Sequence, residues 1–430
     1  MNPSARLSAA IEILTVMDEQ RRPVADVLRD WGRSHRFAGS KDRAAIGDLA
    51  YDALRVHASA AWIMGDASPR AVLLGALRRI RGMTSETIAG LLTGQDHAPA
   101  PLTEAELARL DTDTLADAPD HIRGDIPEWL APSFAAVFGQ DTAAEGEALS
   151  RRAPVDLRTN LLKGDRAKAE RALKHLGPEP TPYSPWGLRL VHSDRAPAMA
   201  AEPAYAKGLV EVQDEGSQLA ALLSGAGPGQ QVLDLCAGGG GKTLALAAMM
   251  ENKGQVYAAD ADGRRLTPIY DRLARADARN IQVRAPRGTQ DVLADLAGRC
   301  DLVFIDAPCT GTGTWRRNPD AKWRLRPGAL EQRCKAQDEV LAAAVRYLKP
   351  GGRLLYATCS VLHEENEDRI AALLAAHPDL LPLDAGVMAA RAGVPQLGNH
   401  ASKSGPGLRL TPRTTGTDGF YIAALTRAAG

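Results

Sequence analysis

The sequence predicts an α/β protein whose C-terminal half is a doubly wound, mostly parallel sheet, preceded by an all-α domain and a small α+β module. Two observations carry this expectation. From about residue 205 onward, short apolar runs alternate with helical stretches; the runs fall at 231–235, 256–260, 281–283, 302–306 and 353–358. Strands covered on both faces by crossover helices read as unbroken apolar runs of this length. The first 125 residues instead space their apolar positions for helices: Ala9, Ile11, Leu14 and Met17, then Val24, Val27, Leu28 and Trp31. Ile46, Leu49, Ala50 and Leu54 repeat the pattern after the start signal Ser40-Lys41-Asp42.

Composition agrees and narrows the function. A chain of 430 residues, 45% hydrophobic and 24% charged, suits two or three domains with real cores. Lys plus Arg and Asp plus Glu are both 52, so no global positive field draws the chain to nucleic acid, and any basic surface is local. The five cysteines, Cys236, Cys300, Cys309, Cys334 and Cys359, are scattered without close pairs. That argues against a disulfide framework and a zinc site and points to a reducing cytoplasm. Neither a signal peptide nor a bilayer-spanning run is expected, so the predicted setting is cytoplasmic, without membrane or metal.

Taken in order, residues 1–125 form the helical domain, where Arg78, Arg79 and Arg81 read as a solvated helix face in preference to a basic patch. Residues 95–127, rich in Ala, Pro and Asp, mark a connector. The small module is placed at 126–204, with strands at 155–163 and 187–191 around a helix at 165–176. The sheet domain fills 205–430, and a closing pair at 408–410 and 419–425 extends the sheet edge.

The chemistry gathers at the carboxyl ends of the sheet strands, where doubly wound folds bind ligands. The first strand runs into VLDLCAGGGGKT, so Cys236, Ala237, Gly238, Gly239, Gly240, Gly241 and Lys242 form a loop that lets backbone approach a ligand at a helix N-terminus. It is neither a phosphate-binding loop, which needs glycine at Cys236, nor GxGxxG, which needs glycine at Thr243. Asp260 ends the second strand where a carboxylate can hold both ribose hydroxyls; the alternative is a helix cap. This pairing suits S-adenosylmethionine as well as a dinucleotide. Residues 301–314, DLVFIDAPCTGTGT, bring Asp306 and Cys309 to the end of the fourth strand, and the fifth ends in Thr358-Cys359-Ser360. If those strands are neighbours, two thiols and an acid share one crevice.

Together VLDLCAGGGGKT, VYAADAD, DAPCTGTGTWRRNPDAKWR, YATCSVLHEEN and TDGFY resemble the Sun-type RNA (cytosine-5) methyltransferases of the NOL/NOP/Sun superfamily. SKDRAAIGDLAYDALR and LRTNLLK extend the resemblance toward the N-terminus. It implies a NusB-like RNA-binding helical domain, a small RNA-recognition module and a Rossmann-like, S-adenosylmethionine-dependent methyltransferase domain. Cysteine thiolate addition to C6 makes the weakly nucleophilic C5 of cytosine reactive. The family implies that Cys359 is this nucleophile, that Cys309 assists loss of the C5 proton and product release, and that Asp306 attends the N3 side of the base. The loop from Cys236 to Lys242, with Asp260 and Asp306, is expected to hold the cofactor.

Residues 314–335 carry seven Lys or Arg against two acids, with Trp315 and Trp323 among them. Arg316, Arg317 and Lys322 are therefore expected on RNA phosphates with the indoles stacking bases, and Arg158 and Asn160 are added from the small module. Two positions depart from the family: Gly239 replaces a proline, and an acid usual after the third strand is missing, with Asp291 as its candidate substitute. The expected partner is ribosomal RNA ahead of transfer RNA, bound by a monomer. A non-catalytic assembly factor and a DNA methyltransferase are the other readings, disfavoured by the intact thiols and by the Thr-Cys motif.

Overall fold

The computed structural model describes residues 1–112, 115–190 and 197–429. The chain forms two compact units: Met1–Arg152 with Trp315–Pro327, and Ala153–Thr314 with Gly328–Gly430. Two residues of the expected connector, Asp113 and Thr114, and Val191 of the expected module strand lie outside the described residues.

The first unit is helical. Its opening helix, Pro3–Gln20, starts where the Asn2 side chain accepts the Ala5 N–H, and Ser68 caps Pro69–Arg79 in the same way. Val24–Ser34, Ser40–Arg55 and His57–Met64 lie between them, and Ile13, Ile46, Leu54, Leu73, Leu74 and Ile88 are fully buried in the shared core. The three arginines at 78–81 form no patch. Arg78 and Arg79 donate to the carbonyls of Leu110 and Arg123, and Arg81 pairs with Asp52 at 2.8 Å. Helices continue to Ser150, and the two compact units divide at Ala153.

The segment Trp315–Pro327 belongs to this helical unit. Trp315 is buried and stacks on Phe134 with ring centroids 5.4 Å apart, while the Trp323 indole N–H donates to the Leu54 carbonyl. Lys322 is fully buried, its ammonium donating to the carbonyls of Arg55 and Asp125 and to the Ser150 hydroxyl at 3.2, 3.0 and 2.8 Å. Burial pushes its pKa down to about 7. Arg316 is also buried. Of the side chains expected on RNA, Lys322, Arg316 and Trp315 are buried, while Arg317 and Trp323 are partly exposed.

In the second unit, a four-stranded antiparallel sheet has the order β2-β3-β1-β4, from Val155–Thr159 (β1), Pro178–Pro180 (β2), Gly187–Leu190 (β3) and Val210–Val212 (β4). β4 lies beyond the expected module end at 204. Among the described residues the larger sheet has eight strands: Gln231–Asp234 (β5), Gln255–Ala259 (β6), Ile281–Arg284 (β7), Cys300–Asp306 (β8), Leu348–Thr358 (β9), Leu380–Pro382 (β10), Leu408–Leu410 (β11) and Phe420–Arg427 (β12). Its order is β10-β12-β9-β8-β5-β6-β7, with β11 also on β12. β5 to β9 pair in parallel, and β12 turns antiparallel onto β9. Leu302, Val303, Phe304 and Ile305 of β8 are fully buried, as a strand covered on both faces requires.

Candidate active site

β8 and β9 are hydrogen-bonded neighbours, with Asp306 opposite Ala357. That register sets the two following turns side by side. The Ala307 N–H donates to the Ala357 carbonyl at 2.8 Å, and the Gly313 N–H to the Cys359 carbonyl at 2.9 Å. Thr312 and Ser360 hydroxyls meet at 3.0 Å, and Thr312 also accepts the Val361 N–H. Thus the Cys309 and Cys359 sulfurs stand 3.3 Å apart. Their hydrogen bond, and then burial, hold the Cys309 thiol protonated well above the usual thiol range. Asp306 accepts a 2.7 Å ion pair from Lys242, whose ammonium also lies 5.4 Å from the Phe420 ring.

Asp234, at the end of β5, is buried beneath the glycine loop and accepts the Thr243 hydroxyl at 2.7 Å, with burial pushing its pKa up to about 7. Gly240 takes a positive φ of 79°, and a Cβ there would stand 2.4 Å from Ile269. Only glycine fits that approach. At Gly239 a Cβ would meet nothing nearer than 3.5 Å, so the position where the family carries proline has room for a side chain.

Asp260 accepts the Gly238 and Asp262 N–H groups, both at 3.0 Å, and pairs with Arg265 at 3.3 Å. It lines a cavity of about 710 Å³ with Cys236, Ala261, Val292, Pro308 and Asp291. That volume is in the range of small-molecule sites. The carboxylate of Asp291 is fixed by the Leu293 N–H at 3.0 Å and by Arg346 at 2.8 Å. An acid at the second strand end, backbone of a glycine loop and an apolar slot bounded by a second acid fit a nucleoside with a charged tail. These residues suit S-adenosylmethionine. Of the glycine loop, Cys236 lines this cavity, and the side chain of Lys242 is committed to Asp306.

Arg158 and Asn160 serve the protein interior. Arg158 is buried, donates to Gln213 at 2.5 Å and to the Gly241 carbonyl at 2.6 Å, and burial lowers its pKa to about 10. Asn160, also buried, donates to the carbonyls of Gly208 and Ala276 at 2.9 and 2.8 Å. Both side chains, expected on RNA, are buried and donate to groups inside the fold. Arg158 instead props the glycine loop from below. Sequence reasoning missed Asp234, Arg265 and Glu365; the acid two residues before Cys236 was the available signal for the first.

Among the described residues no helix is long and apolar enough to cross a membrane, and no group of three or more His, Cys, Asp or Glu is placed to hold a metal. A sequence profile of the family described as 16S rRNA methyltransferase RsmB/F matches residues 221–426, and one for the ferredoxin-like domain of RsmF/B-like methyltransferases matches 126–195. The chain is 31% identical over 412 residues to the ribosomal RNA small subunit methyltransferase B of Sodalis glossinidius (strain morsitans), covering 90% of each. Its fold is similar to that of PH0851, with a TM-score of 0.73 at 24% identity over 99% of both chains. A methyltransferase homolog protein from Pyrococcus horikoshii gives 0.59 at 25% identity over 72% of this chain and 97% of the other. The chain belongs to the RsmB/F family of 16S rRNA methyltransferases.

Proposed function

We propose that this protein methylates C5 of a cytosine in small-subunit ribosomal RNA through a covalent bond between Cys359 and C6. The juxtaposition of Cys309 and Cys359, 3.3 Å apart beside an Asp306–Lys242 pair, carries this reading. The name of the Sodalis relative supports the choice of RNA. Five free thiols suit action in a reducing cytoplasm.

Bound in the cavity beside Asp260, S-adenosylmethionine supplies an electrophilic methyl group. The chain's residues do the rest. Cys359 thiolate forms a bond to C6, the pyrimidine electron pair moves toward C5, and Asp306 with its paired ammonium offsets charge on the N3 side. After C5 is methylated, Cys309 gives its own proton to solvent and, as thiolate, takes the C5 proton; the C5–C6 double bond re-forms and Cys359 leaves as thiolate. The hydrogen bond to Cys359 is the largest cause of the raised Cys309 pKa. Once the Cys359 sulfur is bonded to C6, that cause is gone, so Cys309 sheds its proton more readily at the stage where a base is needed.

Incubation with methyl-labelled S-adenosylmethionine and total RNA, with DNA as control, tests the reaction. Label in RNA, lost in Cys359→Ala, is expected. Label in DNA would favour a DNA enzyme, and label in neither would favour an assembly factor. Bisulfite sequencing of RNA from cells with and without the gene distinguishes ribosomal from transfer RNA.

A further inference from the structure

Glu365 lies in a short 3-10 turn, His363–Glu365, six positions after Cys359, and is fully buried. Its Oε1 accepts the Thr310 N–H at 2.7 Å and Gln337 Nε2 at 3.1 Å, and its Oε2 accepts the Thr310 hydroxyl. Gln337, also fully buried, donates at 2.9 Å to the Pro308 carbonyl as well. The residues on both sides of Cys309 are thus held by one carboxylate and one amide. Tyr356 of β9 donates to the Glu365 carbonyl at 2.6 Å, which ties the turn to the strand that carries Cys359.

The chemistry of the cluster calls for an acid. Thr310 N–H, Thr310 O–H and the Gln337 amide all approach as donors, and a carboxylate accepts from each while donating to none. An amide in its place would turn an NH₂ toward a donor. Burying an acid among neutral donors costs stability, and burial raises the Glu365 pKa accordingly. A group kept at such a cost beside a reacting thiol is a functional candidate.

We propose that Glu365 is a positioning residue for the second half of the reaction: with Thr310 and Gln337 it holds Cys309 within hydrogen-bonding reach of Cys359 so that the C5 proton can be removed and the adduct released. This rests on the roles proposed above for the two thiols. Forming the C6 bond needs Cys359 alone, so loosening the clamp slows release more than attack.

The test uses the full-length protein, transcribed small-subunit ribosomal RNA and labelled S-adenosylmethionine, with methyl turnover and the RNA–protein adduct on denaturing gels both measured. For Glu365→Ala, turnover is expected to fall about 10- to 100-fold, with adduct still forming but persisting. Glu365→Gln and Thr310→Val are expected to shift in the same direction by less, and they carry the test if Glu365→Ala does not fold. Wild-type turnover without adduct build-up in these variants would overturn the proposal, as would equal loss of adduct formation and turnover. Cys309→Ala runs alongside. If it builds no adduct, the thiol roles fail and this inference with them; if it does and the Glu365 series does not, this inference alone fails.

Discussion

Residues 301–314 and 315–327 are consecutive in sequence and opposite in use. The first stretch ends β8 and carries Asp306 and Cys309 to the sheet edge, where Lys242 meets a carboxylate at 2.7 Å. The second, more basic and more aromatic, is packed into the helical unit, where Lys322 meets two carbonyls and a hydroxyl and lies 5.4 and 5.2 Å from the Trp315 and Trp323 rings. A lysine facing a carboxylate can modulate charge in a site. One surrounded by neutral acceptors and indoles holds a fold together while resisting its own charge. The comparison teaches that density of charge in a sequence does not say which charges meet solvent.

Substitutions should separate the two stretches. Asp306→Asn is expected to lower turnover by roughly 10²- to 10³-fold while the melting temperature stays near wild type, measured by single-turnover methyl transfer and calorimetry. Trp315→Ala should do the reverse, costing about 3–5 kcal/mol of stability in denaturant titration, with turnover per folded molecule retained. A Trp315 variant that melts normally but loses turnover would erase the distinction.

Lys322 gives the distinction a pH signature. Its folded pKa is lowered to about 7 from the ordinary lysine value of 10.5, so between those pH values the unfolded chain binds the proton and the folded chain does not. Stability then rises with pH across that window. Lys322→Met should flatten the rise relative to wild type in melts taken from pH 6 to 10. The smallest effect belongs to Arg317: with Arg317→Ala, RNA affinity is expected to fall modestly and the log–log salt slope to drop by about one, with stability unchanged.

Much of the sheet domain was legible because its signals are long and local. The runs at 231–235, 256–260 and 302–306 are strands within a residue or two of their expected limits, and the edge pair at 408–410 and 419–425 joins the sheet as β11 and β12. β10 was not legible: Leu380–Pro382 is three residues with a proline, too short for periodicity to register, and it is fixed by pairing with β12. β4, equally short, escaped for the same reason and moved the end of the small sheet past residue 204.

The site was legible where a residue's chemistry is specific. Cys309, Cys359 and Asp306 meet because adjacent parallel strands end together, which topology alone implies. The burial of Arg158, Asn160 and Lys322 was not legible, because long polar side chains read as solvent-seeking until their partners are known, and those partners, carbonyls, a glutamine amide and a serine hydroxyl, are set by the fold. Glu365 escaped for the complementary reason. Beside Glu364 it looks like part of a charged, solvated turn, whereas its donors are a threonine 55 positions and a glutamine 28 positions away.

The central claim is that one thiol attacks and its neighbour releases. Its most direct measurement is the covalent adduct on substrate RNA, followed by denaturing gel and intact mass in Cys309→Ala and in the Cys309→Ala, Cys359→Ala double variant. The expected result is a stable, stoichiometric adduct in the first and none in the second. An adduct that survives in the double variant, or that forms in Cys359→Ala alone, would contradict the assignment.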